Sequence, residues 1–238
     1  MNLNASRLVS VILPVFNGEQ YLTEALESVL GQDYRPLEVI VVDDGSTDRT
    51  SELCRAYIQS GMTRYHFQQH QGLAAARNAG IRLARGDVIA FIDADDLWVK
   101  GKLGAQMRVL ESDPSIDIVL GRTRQFISPE LSAAERAGLR IMRDEMLSQL
   151  QNSSLIRKSA YAKTGLYDEH HAFAQDMEWF MRAQEANLKI VALEQLVHMR
   201  RIHRTNQGRL NPQQGASTRL RILKAALDRR RAKPAKRE

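Results

Sequence analysis

Continuous apolar runs alternate along the chain with stretches in which apolar residues recur every three or four positions. Residues 8–16, LVSVILPVF, read as a buried strand ending at Pro14, and Asn17-Gly18 turns the chain. Tyr21, Leu22, Ala25, Leu26, Val29 and Leu30 then recur at helical spacing, with Gly31 as the stop. Leu37–Val42 predicts a second apolar strand, and Leu53, Ala56 and Tyr57 mark the next helix. A short strand is expected over Arg64–Gln68, a helix over Gly72–Arg85, a buried strand over Asp87–Ile92, a helix near Lys100–Leu110 and a strand over Asp117–Leu120. From about Gly121 to Gln151 the pattern loosens into charged, Ala/Leu-rich sequence, expected to be irregular helix. Beyond it, Ser153–Arg157 predicts a strand, Ser159–Thr164 a helical turn and Asp176–Ala186 a helix. Lys189–Leu193 and Val197–Ile202 predict two strands, and the chain from Ala216 is helical until it frays after Lys233-Pro234. Strand–helix–strand repetition with continuous apolar strands implies an α/β fold with a mainly parallel central sheet flanked by helices, whose ligands bind at the carboxyl ends of the strands.

Composition changes this picture little. Cys54 is the only cysteine, which rules out an intrachain disulfide and suits a reducing compartment. MNLNASRLVS lacks the charged-then-apolar build of a signal peptide, and no apolar run approaches the roughly 20 residues of a membrane span, so a cytoplasmic protein is expected. The formal net charge is +6, but residues 219–238 hold nine Lys/Arg against two Asp/Glu. The positive charge belongs to the end of the chain. A basic end of this kind suits a solvated, partly disordered tail, or a peripheral contact with anionic lipid or an acidic partner, and nucleic-acid binding is not expected.

Acidic residues collect at two strand ends. In FIDADD, Asp93, Asp95 and Asp96 interrupt an apolar strand, and unpaired charges there are costly. A divalent ion with oxygen ligands, Mg²⁺ or Mn²⁺, would neutralise them; alternatively they cap the following helix, a role that suits Asp96 best. In VVDDGSTDRT, Asp43 and Asp44 suit hydrogen bonds to a base or ribose, or only a turn built on Gly45. Arg77, on the helix between these strand ends, fits a carboxylate, a phosphate oxygen or a surface ion pair. Asp176 stands at a helix start as a general base or an N-cap, and His203 ends a strand as a metal ligand, a phosphate contact or a loop residue.

Taken in order, "VSVILPVFNGEQYLTEALESVLGQ", "LEVIVVDDGSTDRT", "GLAAARNAGIRLARGDVIAFIDADD", "SSLIRKSAYAKTGLYDE" with "QDMEWFMR", and "RIHRTN" resemble the inverting family 2 glycosyltransferases of GT-A fold. The resemblance covers roughly residues 8–207. It implies one GT-A domain over residues 1–215, with a Rossmann-like nucleotide-sugar half to about residue 120, an acceptor half over 121–215, and a basic helical tail over 216–238. Pro14, Val15 and Asn17 would line the base and ribose site, Asp44 would receive the base N–H, Asp43 would support the loop, and Arg77 would approach the base or the diphosphate. Asp95 would ligate Mn²⁺ or Mg²⁺, Asp93 would meet ribose or a metal-bound water, and His203 would reach the metal or the diphosphate. Asp176 would be the catalytic base. The donor implied is a nucleotide-diphosphate sugar, UDP-linked by preference, and the acceptor a saccharide, peptide or lipid-linked sugar. Trp98 and the 121–151 stretch lie where sugar and acceptor choice would be made. Two departures stand out: Gln175 precedes the base where the family usually has Glu, and Ile202 precedes His203 where an aromatic is common. Gln175 is the support for the alternative, a catalytically weak nucleotide-sugar-binding module on the same scaffold. A nucleotidyltransferase would need a glycine-rich basic loop where this chain has Pro14–Gly18.

Overall fold

Side-chain alternation within the apolar runs decides the layering. The computed structural model describes residues 6–59, 61–139, 141, 145–147, 149–206 and 212–232. In β1 (Val9–Val15), Val9, Val11, Leu13 and Val15 face one apolar cluster while Ile12 faces another. After α1 (Leu22–Leu30), β2 (Leu37–Asp43) sends Val39 and Val41 to the first and Ile40 and Val42 to the second. Then come α2 (Thr50–Gln59), β3 (Thr63–Phe67) and α3 (Leu73–Leu83), and β4 (Val88–Phe91) divides its residues in the same way. A sheet covered on both faces must be apolar at every position, so these segments read as unbroken runs.

β5 (Leu97–Trp98), α4 (Lys102–Ser112), β6 (Ile118–Ile127), α5 (Ala133–Ala137), β7 (Met146–Leu147), β8 (Ser154–Arg157), α6 (Ser159–Thr164), α7 (Gln175–Glu185), β9 (Ile190–Ile202) and α8 (Pro212–Ala232) follow. The sheet runs β3-β2-β1-β4-β8-β6-β9-β5, with β7 paired to β6. β3, β2, β1 and β4 are mutually parallel. β8 lies antiparallel between β4 and β6, and β9 is parallel to β6. The order reverses direction beside β1, so the carboxyl ends of β1, β2 and β4 open on one edge. Close helix–sheet approach at that edge depends on Gly80 of α3, where an added Cβ would sit 2.3 Å from Ile12 Cγ2.

Two expectations need correction. The polar stretch after Gly121 continues β6 to Ile127, because β9 supplies its backbone partners over the same length. Among the described residues, helix in the 121–151 stretch is confined to α5 and to the start of a 3-10 turn at Gln151–Ser153. The strands expected at 189–193 and 197–202 are one, β9, whose exposed Glu194 and Gln195 broke the apolar pattern. Fraying after Lys233 lies outside the described residues. Among the described residues no helix is long and apolar enough to cross a membrane.

One buried charge sits behind the acidic turn. Lys102, wholly buried, donates to Gln106 Oε1 and, at 3.3 Å, to the Ser154 carbonyl, with its ammonium 4.6 Å from the Trp98 ring centroid. Burial pushes its pKa down to about 7. The unfolded chain, at about 10.4, therefore binds the extra proton between these values, and stability from this group rises with pH across that window. Lys102→Met should abolish the gain. The unfolding free energy of the wild type relative to the variant should rise by about 3 kcal/mol from pH 7 to pH 10 in urea titrations. A constant difference would show that the ammonium is solvated.

Candidate active site

Three loops meet at the open edge. Asp43, the last residue of β2, is fully buried. Its Oδ1 accepts from the Ser46 N–H at 2.8 Å and its Oδ2 from the Tyr65 hydroxyl, so it supports the turn around Gly45. Asp44 is turned toward the loop before α3. Its carboxylate accepts from Gln68 Nε2 (2.7 Å) and from the Gln71 and Gly72 N–H groups (2.9 and 2.8 Å), and His70 Nδ1 lies 2.9 Å away. An incoming base N–H would meet Asp44 by displacing the side chain of Gln68 or His70, since the other two donors are backbone. Pro14 and Val15 are buried in β1, while Asn17, at φ 52°, lies on the surface and accepts from the Thr47 N–H at 2.8 Å. Phe16 is exposed and stacks on His70, with centroids 4.2 Å apart. This aromatic pair was not singled out in the sequence; an exposed Phe directly after a buried strand was the available signal.

The acidic turn follows β4. Asp93, Asp95 and Asp96 bring carboxylate oxygens within 4.8 Å of one another. The three have different company. Asp96 is buried and accepts from the Arg201 N–H (2.9 Å), Asn152 Nδ2 (3.0 Å) and His198 Nε2 (2.8 Å), so it pins β9 to the turn. Asp93 accepts from Arg77 Nη2 at 3.2 Å and Asn152 Nδ2 at 2.8 Å. Burial works to raise its pKa, but the guanidinium and the amide outweigh it and hold it below the usual carboxylate range. Asp95 accepts from His203 Nε2 at 2.8 Å and more distantly from Asn206, and no hydrogen bond from a described residue reaches its Oδ1. Burial and the neighbouring Asp96 and Asp93 charges push the Asp95 carboxyl up despite the His203 bond. The Thr205 N–H and hydroxyl both lie on His203 Nδ1, at 3.3 and 3.0 Å, so they orient the ring with Nε2 facing Asp95.

Asp176 comes to this edge from the other half of the chain. It sits in the first turn of α7, after Ala174 at φ 57°, and its side chain is 18% exposed. Arg77 Nη1 donates to its Oδ1 at 2.6 Å, and the Gln151 N–H to its Oδ2 at 3.1 Å. Arg77 is itself buried, its guanidinium 5.7 Å from the Phe91 ring centroid and 5.5 Å from that of Tyr167. Burial acts against its charge, and the Asp176 and Asp93 carboxylates outweigh it and hold the guanidinium protonated. The guanidinium is thus committed to two carboxylates and lies between them. Asn78, the next residue, is bonded in both directions to the Tyr167 backbone, which fixes the segment before α7 to α3.

The site residues picked from the sequence therefore form two groups, Asp43 and Asp44 on the β2 side and Asp93, Asp95, Asp176, Arg77 and His203 together. The Trp98 ring is buried and its indole N–H donates to the Asn152 carbonyl at 3.1 Å. Gln175 is buried, its amide donating to the His171 carbonyl at 2.7 Å. Asn152, His198 and Arg201 went unnoticed in the sequence, because nothing local marks a residue whose partner lies in a distant turn.

A divalent cation fits this donor set. Asp93, Asp95, Asp96 and Asp176 face one committed guanidinium and two imidazoles, since Arg201 is itself paired with Glu24 at 2.7 Å. The least compensated carboxylate, Asp95, is also the one with an oxygen open. Oxygen and imidazole donors suit Mn²⁺ and Mg²⁺.

The family model for Glycosyl transferase family 2 matches residues 10–174. The chain belongs to glycosyltransferase family 2. A glycosyltransferase of Rickettsia typhi, uncharacterized, is 30% identical over 188 residues, which are 74% of this chain and 58% of that protein. Glycosyltransferase GlyG of Streptococcus pneumoniae is 39% identical over 118 residues, 49% of this chain and 39% of that one. The chain thus spans less than two thirds of the length of the curated relatives it matches. Among solved structures, S. aureus TarS 1-349 in complex with UDP-GlcNAc superposes with a TM-score of 0.71 at 21% identity, covering 90% of this chain and 65% of that one. Mannosyltransferase PcManGT from Pyrobaculum calidifontis, in complex with GDP-Man and Mn²⁺, gives 0.71 at 20% identity, covering 94% and 65%. The fold is the GT-A type. The family match ends before Asp176 and His203.

Proposed function

We propose that this family 2 member is a metal-dependent inverting glycosyltransferase. It would move a sugar from a nucleotide-diphosphate donor, UDP-linked by preference, to a nucleophile of a saccharide, peptide or lipid-linked acceptor. The observation that carries this reading is the buried guanidinium of Arg77, bonded on one side to the base candidate Asp176 and on the other to Asp93 of the acidic turn. It sets a proton acceptor and a cation-binding turn side by side at the open edge of the sheet. The UDP-GlcNAc bound to TarS and the GDP-Man and Mn²⁺ bound to PcManGT support the donor class and the metal.

In the reaction, an acceptor hydroxyl oxygen bonds to the anomeric carbon as the bond from that carbon to the diphosphate oxygen breaks on the opposite face. The hydroxyl proton passes to Asp176 Oδ, and the diphosphate leaves with the bonding electrons. One displacement inverts the anomeric centre. Arg77 and the Gln151 N–H hold the carboxylate by one oxygen each, which fixes its aim. Asp95 and His203 would hold the ion, with Asp93 beside them; when bound, it neutralises the charge on the leaving diphosphate. Asp44, Asn17 and the end of β1 would receive the nucleoside, on a turn that Asp43 supports. Beside His203 a cleft of about 320 Å³, lined by Leu131, Ala134, Gly138, Leu139 and Arg204, lies in the 121–151 stretch assigned to acceptor choice.

The test is calorimetric titration and thermal shift with UDP and GDP, with and without Mn²⁺. Mn²⁺-dependent binding should raise the melting temperature by mass action, and Asp95→Ala should lose it by about tenfold or more in Kd. Identical binding heats in wild type and variant would overturn the metal assignment.

A further inference from the structure

We propose that the outer face of α8 docks on an anionic lipid surface. The apolar residues of this helix were indistinguishable in the sequence, but the structure sorts them. Thr218, Ile222 and Ala226 are buried, and Arg229 pairs with Glu185 of α7 at 2.9 Å, so one face of α8 is committed to the domain. Leu220, Leu223 and Leu227 are 68%, 42% and 52% exposed. At 100° per residue these three fall within about 60° of arc, centred roughly 110° around the helix from Ile222 and Ala226. They form a continuous outward stripe.

Charge says what covers it. Arg219, Arg221, Lys224 and Arg231 are exposed on the same helix, whose only acid is Asp228. Residues 219–238 hold nine Lys/Arg against two Asp/Glu, more than the whole net charge of +6, so the remainder of the chain is close to neutral. Leucines that insert and long cationic side chains that reach outward beside them match the boundary between acyl chains and anionic headgroups. A second copy of the chain seated on the stripe would bring two such basic surfaces together, and like charges oppose that pairing. A polyanion without an apolar layer would leave the leucines unused.

The inference is independent of the catalytic reading and is tested apart from it, by sedimenting the full chain with loaded vesicles. The wild type should pellet with phosphatidylcholine vesicles containing phosphatidylglycerol and not with phosphatidylcholine alone. The triple variant Leu220→Gln, Leu223→Gln, Leu227→Gln should lose at least about tenfold in partitioning with its melting temperature unchanged. The charge variant Arg219→Gln, Lys224→Gln, Arg231→Gln, which alters only exposed positions of α8, should also lose roughly tenfold. Absence of wild-type pelleting with anionic vesicles would overturn the proposal. So would pelleting unaffected by either variant, or a wild-type dimer in velocity sedimentation that the leucine variant converts to monomer.

Discussion

Asp176→Asn is expected to bind donor and metal as the wild type does and to transfer sugar roughly a thousandfold more slowly, within the range a positioned general base contributes. The substitution conserves shape, and its amide oxygen can still accept from Arg77 or from the Gln151 N–H, the two donors on the native carboxylate. What it cannot do is take a proton. The loss should therefore fall on kcat and leave the donor Kd within a few-fold, because the carboxylates of the acidic turn are untouched. Stability should fall by a few kcal/mol at most, since Arg77 keeps its pairing with Asp93. Single-turnover transfer to any accepted saccharide, beside donor titration on the same preparation, separates these outcomes. A variant that transfers at the wild-type rate would remove Asp176 from the chemistry and leave the acidic turn as a binding site alone.

The features legible in the sequence and those hidden from it differ in range. β1, β2 and β4 carry their own signal, because a doubly covered strand must be apolar at every position, and the helices between them carry the three-and-four spacing. The acidic turn was equally legible, since three carboxylates after an apolar strand demand compensation. Its division of labour was not. Asp96 is structural because His198, Arg201 and Asn152 converge on it, and each arrives from a segment far along the chain with no local mark. The polar half of β6 was misread for the same reason: its strand form comes from the register with β9, not from its side chains. α8 shows the limit from the other side. Helical spacing identified its apolar residues, but only packing against α7 tells Ile222 and Ala226 from the exposed leucines. Arg77 combines both cases, a helix position readable from pattern whose partners depend on where α7 docks.

That double pairing makes Arg77 the position where a single change should do most harm to fold and activity together. Its guanidinium is buried beside Phe91 and Tyr167, and bonded to Asp176 at 2.6 Å and Asp93 at 3.2 Å. Arg77→Met fills similar space but leaves two carboxylates without their cation. Breaking a buried pair from one side costs roughly 3–5 kcal/mol, so urea unfolding should shift by that order. Arg77→Lys discriminates between charge and geometry. A single ammonium restores the positive charge, and most of the lost stability should return. It cannot fork to two acceptors as the planar guanidinium does, so Asp176 and Asp93 would no longer be held at a fixed separation. Transfer should then remain at least tenfold down in kcat while the melting temperature recovers. Should the lysine variant regain activity in step with stability, Arg77 would be a charge-balancing residue only. If instead activity stays low in a well-folded lysine variant, the fork itself aligns the base with the metal turn, and the reaction depends on one side chain of α3 that need not touch the substrate.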